Sequence, residues 1–285
     1  MRSGVVGLMP AHARDITPTT AANLRAHGFT GVTVVVPDPL TAEREVYVRA
    51  GQILADGGIT VAQANPRYEI IVSTDEEQRA RGIRGLRGAC QVAAWLGAKT
   101  VYVRPGSLNP AGPWTPHPAN TSLKTIIRLV ESLKKVVGAA EDVGIPLAIE
   151  GGAVCPLDTP ERVRDVIEAV DSPAMGFNAD PVNFVRSFDE MYNTTSLINR
   201  LFDLCGKYVV CAHAKDLTYE SSLTVRFDEC LLGEGQFDQV TYLKRLEAVI
   251  PDGFALIEHL PDDQIPAAKR NLDAAARLAG LTWKA

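Results

Sequence analysis

The chain has 285 residues, 46% hydrophobic and 22% charged, with 23 Gly and 18 Pro; that balance belongs to a globular protein and excludes a disordered chain, a collagen-like repeat or a coiled coil. A net charge of −5, from 34 acidic and 29 basic residues, leaves no overall attraction to nucleic acid. No apolar run approaches the ~20 residues of a membrane helix, and the opening MRSGVVGLMP turns polar too soon for a signal peptide, so a cytoplasmic protein with neither a membrane nor a nucleic-acid partner is expected.

Short apolar, β-branched runs recur along the chain, each followed by a stretch with helical spacing. Val5–Met9 is the first, followed by a helix that places Pro18 at its first turn and hands on through Gly28. Gly31–Val36 is the second run and Thr60–Ala64 the third. Ser73–Glu76 then opens a long helix that should end near Gly97, with Arg79, Arg81, Arg84 and Arg87 on its solvated side. Thr100–Arg104 precedes a proline-rich loop and a helix predicted over Ser122–Val143, where apolar residues recur at spacings of three and four. Pro146–Glu150 leads to a helix with Pro160 near its start. Ala174–Asn178, Tyr208–His213 and Gly253–Glu258 complete the set, before a last helix over Gln264–Leu278 that ends against Gly280.

Most of these runs are continuously apolar, as parallel strands covered on both faces require. Eight alternations without a linker or a break in composition predict a single (β/α)8 barrel spanning residues 1–285. A doubly wound open sheet is the alternative; neither G-x-G-x-x-G nor a phosphate-binding loop ending in G-K-[ST] is present, and no nucleotide cofactor is expected. Five widely spaced cysteines (Cys90, Cys155, Cys205, Cys211 and Cys230) with no C-x-x-C read as reduced, mostly buried thiols.

Chemistry in such a barrel sits where the strands end. LAIE ends at Glu150, GFNAD at Asn178 and Asp180, VVCAHAKD at His213, Lys215 and Asp216, and FALIEH at Glu258 and His259. Taken singly, each has an ordinary structural use: a solvated carboxylate, a helix cap at Asp180 before Pro181, a hydrogen-bonded core histidine. Together, three carboxylates and an imidazole on four consecutive strand ends form a cluster whose charge needs a cation. Three oxygen donors and one nitrogen donor favour Mn²⁺, with Mg²⁺, Co²⁺ or Zn²⁺ tolerated. Glu150, Asp180, His213 and Glu258 are therefore the expected metal ligands. His259, of opposite parity to Glu258, is expected in a loop or outside the barrel axis; His27 is expected at a helix C-terminus, and His12 is a candidate pocket residue. The loop from Arg104 to Asn120 carries five prolines, and its Arg104, Trp114 and His117 are candidate substrate contacts. Asn65–Glu69 is a further candidate wall.

LAIEGG, GFNADPVN, HAKD and GEGQFD, in that order, resemble the xylose isomerase-like TIM barrels, a superfamily of sugar isomerases and epimerases that includes inosose dehydratases. The resemblance implies that Glu150 binds metal and exchanges a proton with substrate, that Asp180 and His213 are ligands, and that Glu258 is both ligand and second acid/base. It makes Lys215 and Asp216 pocket-wall or structural residues. It also places Asn183 where the family often has a histidine, so that residue would bond a sugar hydroxyl without shuttling protons. The endonuclease IV branch is a poor match, because a trinuclear zinc cluster needs many histidines where this chain has 5, and the acidic balance argues against a DNA substrate. The implied chemistry is proton transfer next to the carbonyl of a keto sugar or related polyol, giving epimerisation or isomerisation. Elimination by the same carbanion, as in a dehydratase or from a keto-glycoside, is the alternative, and a non-catalytic sugar-binding barrel the second. A homo-oligomer is compatible with any of these.

Overall fold

Ten strands run through the chain: β1 (Arg2–Val5), β2 (Gly31–Val36), β3 (Thr60–Pro66), β4 (Val101–Val103), β5 (Leu147–Ile149), β6 (Met175–Ala179), β7 (Val209–Ala214), β8 (Asp216–Tyr219), β9 (Phe227–Cys230) and β10 (Phe254–Ile257). In the computed structural model, which describes residues 1–285, β1 to β7 pair in parallel in chain order, and β10 closes the ring between β7 and β1. Helices cross between successive strands, and none is long and apolar enough to span a membrane. The eight-stranded (β/α) barrel expected from the alternation is the fold.

Several boundaries differ from the expected ones. The first strand is Arg2–Val5 rather than Val5–Met9, because Gly7 (φ 152°) and Leu8 (φ 57°) turn the chain away from the sheet. The single helix expected over Ser122–Val143 is two, Leu123–Lys134 and Val137–Val143, broken beside Val136, Val137 and Gly138, three consecutive weak helix formers. Gly97 and Gly144 cap their helices in the left-handed region as expected, whereas Gly206 is right-handed helical and opens a short 3-10 turn. The antiparallel β8–β9 hairpin was not expected, since its strands are polar and half exposed.

Two apolar layers hold the barrel. A cluster of 70 buried residues fills the space between strands and helices, and a small one of Ala62, Ala148, Cys211, Phe254 and Leu256 plugs the barrel interior. The interior is tight: a Cβ on Gly176 would lie 2.6 Å from a Val210 methyl. Toward the C-terminal rim the inward positions turn polar. Side chains alternate along a strand, so the side that carries Ala148 next carries Glu150, Cys211 is followed by His213, and Leu256 by Glu258. Two register shifts interrupt the alternation. Val32 pairs with Val61 and Thr33 with Gln63, leaving Ala62 as an extra residue on β3; likewise Phe177 pairs with Val209 and Asn178 with Cys211, leaving Val210 extra on β7. Bulges of this kind re-aim side chains, and here Ala62 and Gln63 both face inward.

Candidate metal centre

Glu150, Asp180, His213 and Glu258 meet just beyond the strand ends. Each offers one ligand atom, all four atoms lie within 4.8 Å of one another, and all four side chains are buried. His213 Nδ1 is 2.5 Å from Glu258 Oε2, 3.4 Å from Glu150 Oε2 and 3.9 Å from Asp180 Oδ2. None of these approaches has hydrogen-bond geometry: His213 Nδ1, Glu258 Oε2 and both Asp180 oxygens are buried without a hydrogen-bond partner. Asp180 does not cap the turn that follows it either. Buried polar atoms are normally paired, so converging lone pairs on three hard carboxylates and an imidazole are what a divalent cation requires, and the residues fit that group.

The protonation pattern reflects the crowding. Burial, reinforced by the Glu150 and Glu258 charges against the pull of Lys215, pushes Asp180 up to about 7. His213 is held well above its ordinary value: burial opposes its charge, but Glu258 and Glu150 outweigh it. Glu258 lies well below the usual carboxylate range, because His213 and Lys215 overcome its burial.

One side of the cluster holds a cation of the protein's own. The Lys215 ammonium, also buried, is 2.8 Å from Asp180 Oδ2 and 3.8 Å from Glu258 Oε2. Burial lowers its proton affinity, yet Asp180, Glu258 and Glu150 together raise it above that of an ordinary lysine. Lys215 also donates to Asn183 Oδ1 (2.8 Å) and Glu229 Oε1 (3.4 Å). Asn183 donates in turn to Glu150 Oε1, so it orients a cluster carboxylate. Asp216 is structural: its carboxylate accepts from the backbone N–H groups of Leu217, Gly233, Gly235 and Phe237, folding the GEGQFD loop against the barrel.

Two contributors were not singled out by sequence: Gln63, which forms a buried amide pair with the strand-end residue Asn178 beneath the cluster, and Glu229 on β9, which reaches over it. His259 stands in the loop after β10 with φ 59°; its Nδ1 is 2.9 Å from Glu229 and its Nε2 3.1 Å from Glu258 Oε1. Hydrogen bonding to Glu229 and then to Glu258 raises its imidazole to about 10. It is outside the barrel as expected, but it touches the rim carboxylate rather than turning away from it.

A cavity of about 500 Å³ opens next to the cluster's partners Asn183, Glu229 and His259, lined also by Val182, Leu217 and Phe227, although none of the four cluster residues lines it. A larger one, about 880 Å³, lies around the N-terminal ends of β3 and β4 and holds none of the cluster residues. The other candidate contacts are placed differently. Arg104 is buried, donating to Asn65 Oδ1 (2.9 Å) and Pro66 O and stacking on Tyr68 and Tyr102 at 4.9 and 5.6 Å, so it braces the loops after β3 and β4. Trp114 is half-buried against the main core, and His117 accepts from Ala119 N within its own turn. His12 is exposed and lines a separate small cleft with Asp38 and Thr41 that none of the four cluster residues enters. His27 caps the C-terminus of the helix Pro18–Ala26, and all five thiols are unpaired.

Fold and site together define a (β/α)8 barrel with a carboxylate–imidazole cluster at the ends of four strands. The chain belongs to the xylose isomerase-like TIM barrel family, whose model matches residues 21–279. Solved structures share the fold. A D-tagatose 3-epimerase-like protein is 18% identical, with a TM-score of 0.76 over 98% of both chains. A D-psicose 3-epimerase in the presence of D-fructose is 16% identical (TM-score 0.73, 98% of this chain and 99% of that one). A xylose isomerase-like TIM barrel protein from Mycobacterium smegmatis in complex with magnesium is 19% identical (TM-score 0.71, 98% and 96%). No curated protein matches the chain in sequence.

Proposed function

We propose that this protein is a divalent-metal-dependent sugar isomerase or epimerase that moves a proton on the carbon next to the carbonyl of a keto sugar or related polyol. The observation that carries the reading is the convergence of four buried ligand-type atoms within 4.8 Å, three of the four residues holding atoms without a hydrogen-bond partner. Glu150, Asp180, His213 and Glu258 would hold the metal, Mn²⁺ first by donor chemistry, with Mg²⁺, Co²⁺ or Zn²⁺ acceptable. When bound, the cation supplies charge stabilisation to the substrate oxygens that become negative as the proton leaves. The structural neighbours named for tagatose and psicose 3-epimerases accord with this chemistry.

Glu150 takes the proton. Asn183 and Asn178 donate to its two oxygens and hold the carboxylate in one orientation, which matters because a base must stay within hydrogen-bond reach of its proton. Glu258 returns to the opposite face a proton passed to its other oxygen by the protonated His259, which regains one from solvent while Glu150 gives its own up to solvent. The substrate is a neutral sugar rather than a sugar phosphate: Lys215 and Arg104 are spent on internal partners, and the cavity wall carries Asp228 and Glu229 against His259 alone.

The test is NMR of deuterium uptake into a panel of keto sugars and inososes in D₂O, with metal added. Glu150→Gln should slow uptake by about 10²–10⁴-fold while the far-ultraviolet spectrum is unchanged; unaltered uptake would remove Glu150 from its role. A product lighter by one water would reassign the enzyme to elimination.

A further inference from the structure

Beneath the cluster runs a chain of hydrogen bonds of which the proposed proton transfer uses only the first link, Asn178 to Glu150. Asn178 Nδ2 donates to Glu150 Oε2 (3.1 Å), Gln63 Nε2 donates to Asn178 Oδ1 (3.0 Å), and Gln63 Oε1 faces His213 Nε2 at 3.2 Å. Gln63 and Asn178 are completely buried, so water cannot replace any link.

The direction of this chain is forced. An ionised carboxylate only accepts, so Glu150 turns the amide nitrogen of Asn178 toward itself and the carbonyl of Asn178 toward Gln63. That carbonyl demands the amide nitrogen of Gln63, which leaves the Gln63 carbonyl facing His213. An acceptor there requires the proton on Nε2. Reversing both amides would set two oxygens against each other at Glu150.

We infer that Gln63 and Asn178 are positioning residues that carry the acceptor character of Glu150 across the barrel and fix the proton of His213 on Nε2, presenting the Nδ1 lone pair to the metal. The inference rests on the metal site proposed above and deepens it. His213 then has one coordination mode, and the ring cannot flip without stranding a buried N–H. Two ligands 63 residues apart in sequence are thereby coupled by a route separate from the metal itself. Neutral imidazole ligands depend on such partners at their second nitrogen for orientation and basicity. The β3 bulge supplies the geometry, since it turns Gln63 into the barrel beside Ala62.

The experiment uses the whole protein with Zn²⁺ as a diamagnetic probe. Nitrogen-15 imidazole spectra are read together with Zn²⁺ affinity by competition calorimetry. With only 5 histidines in the chain, the His213 signals are assigned by their loss in His213→Asn. The expected wild-type spectrum has zinc on Nδ1 and a slowly exchanging proton on Nε2. Gln63→Met, close in volume but without an acceptor, should weaken zinc binding by about 10–100-fold and leave the Nε2 proton exchanging freely or the ring coordinating through Nε2. Gln63→Glu keeps an acceptor for Nε2–H and should restore the protected proton.

Zinc on Nε2 in the wild type overturns the inference, and this measurement needs no variant to fold. Wild-type affinity and a protected proton in Gln63→Met also overturn it. A wild type that takes up no zinc defeats the metal reading instead; the relay is then judged on the metal-free proteins, where an Nε2 proton that exchanges slowly in the wild type and freely in Gln63→Met supports it and equal exchange in the two overturns it.

Discussion

Lys215 offers the sharpest test of how the cluster is balanced. Its ammonium sits 2.8 Å from Asp180 Oδ2 and 3.8 Å from Glu258 Oε2. At an effective dielectric near 20 these approaches correspond to gross attractions of about 6 and about 4 kcal/mol, much of which offsets the cost of burying the charge. In Lys215→Met the apolar stem remains and the charge goes, leaving buried carboxylates without their cation; breaking a buried pair in this way costs about 3–5 kcal/mol. For 285 residues the unfolding entropy is about 0.6 kcal/mol/K, so the metal-free variant should melt about 5–8 °C below the wild type. A divalent ion replaces the missing positive charge, so Mn²⁺ or Mg²⁺ should raise the melting temperature of the variant more than that of the wild type. Scanning fluorimetry with chelator and with added metal reads both effects. Equal melting of the two metal-free proteins, or equal stabilisation by metal, would refute the balance described.

Two further outcomes follow from neighbouring contacts. A Cβ on Gly152 would sit 2.9 Å from Asn183 Cβ and 3.1 Å from its carbonyl oxygen, so Gly152→Ala should push Asn183 off Glu150, cost about 1–3 kcal/mol and depress deuterium uptake. Metal affinity measured by calorimetry should hold, and a parallel loss of both would contradict the separation. His259 is raised from 6.5 to about 10 by Glu229 and Glu258, so the folded state binds its proton more tightly than the unfolded chain does. Its contribution is present in full below pH 6.5 and fades as pH rises through about 10. The melting-temperature gap between wild type and His259→Asn should narrow across that window, and a gap independent of pH would exclude the ion pair as its source.

The linear pattern carries the barrel because each parallel strand is apolar on both faces and each helix repeats every three to four residues. It also carries Glu150, Asp180, His213 and Glu258, since polar residues that end apolar strands have nowhere to lie but the rim. Arg104 shows the limit of that logic: it ends a strand and looks like a ligand contact, yet its guanidinium is spent on Asn65, Pro66 and two tyrosine rings. The position of a side chain along its strand is local, whereas the neighbour that claims its donors comes from elsewhere in the chain.

Gln63 marks the boundary most clearly. Strict alternation puts it on the opposite face from Ala62, and only the extra residue in the β2–β3 pairing turns both inward. Its partner His213 is 150 residues away. Lys215 and Glu229 were placed by closure of the ring and by the hairpin folding over its mouth, which set charges from separate segments within a few ångströms. Composition, periodicity and strand ends thus determined the barrel and the four rim residues, because these depend on burial summed along each element. Register, bulges and the pairing of buried charges were decided only in three dimensions, because each is a contest between partners that meet after the ring has closed.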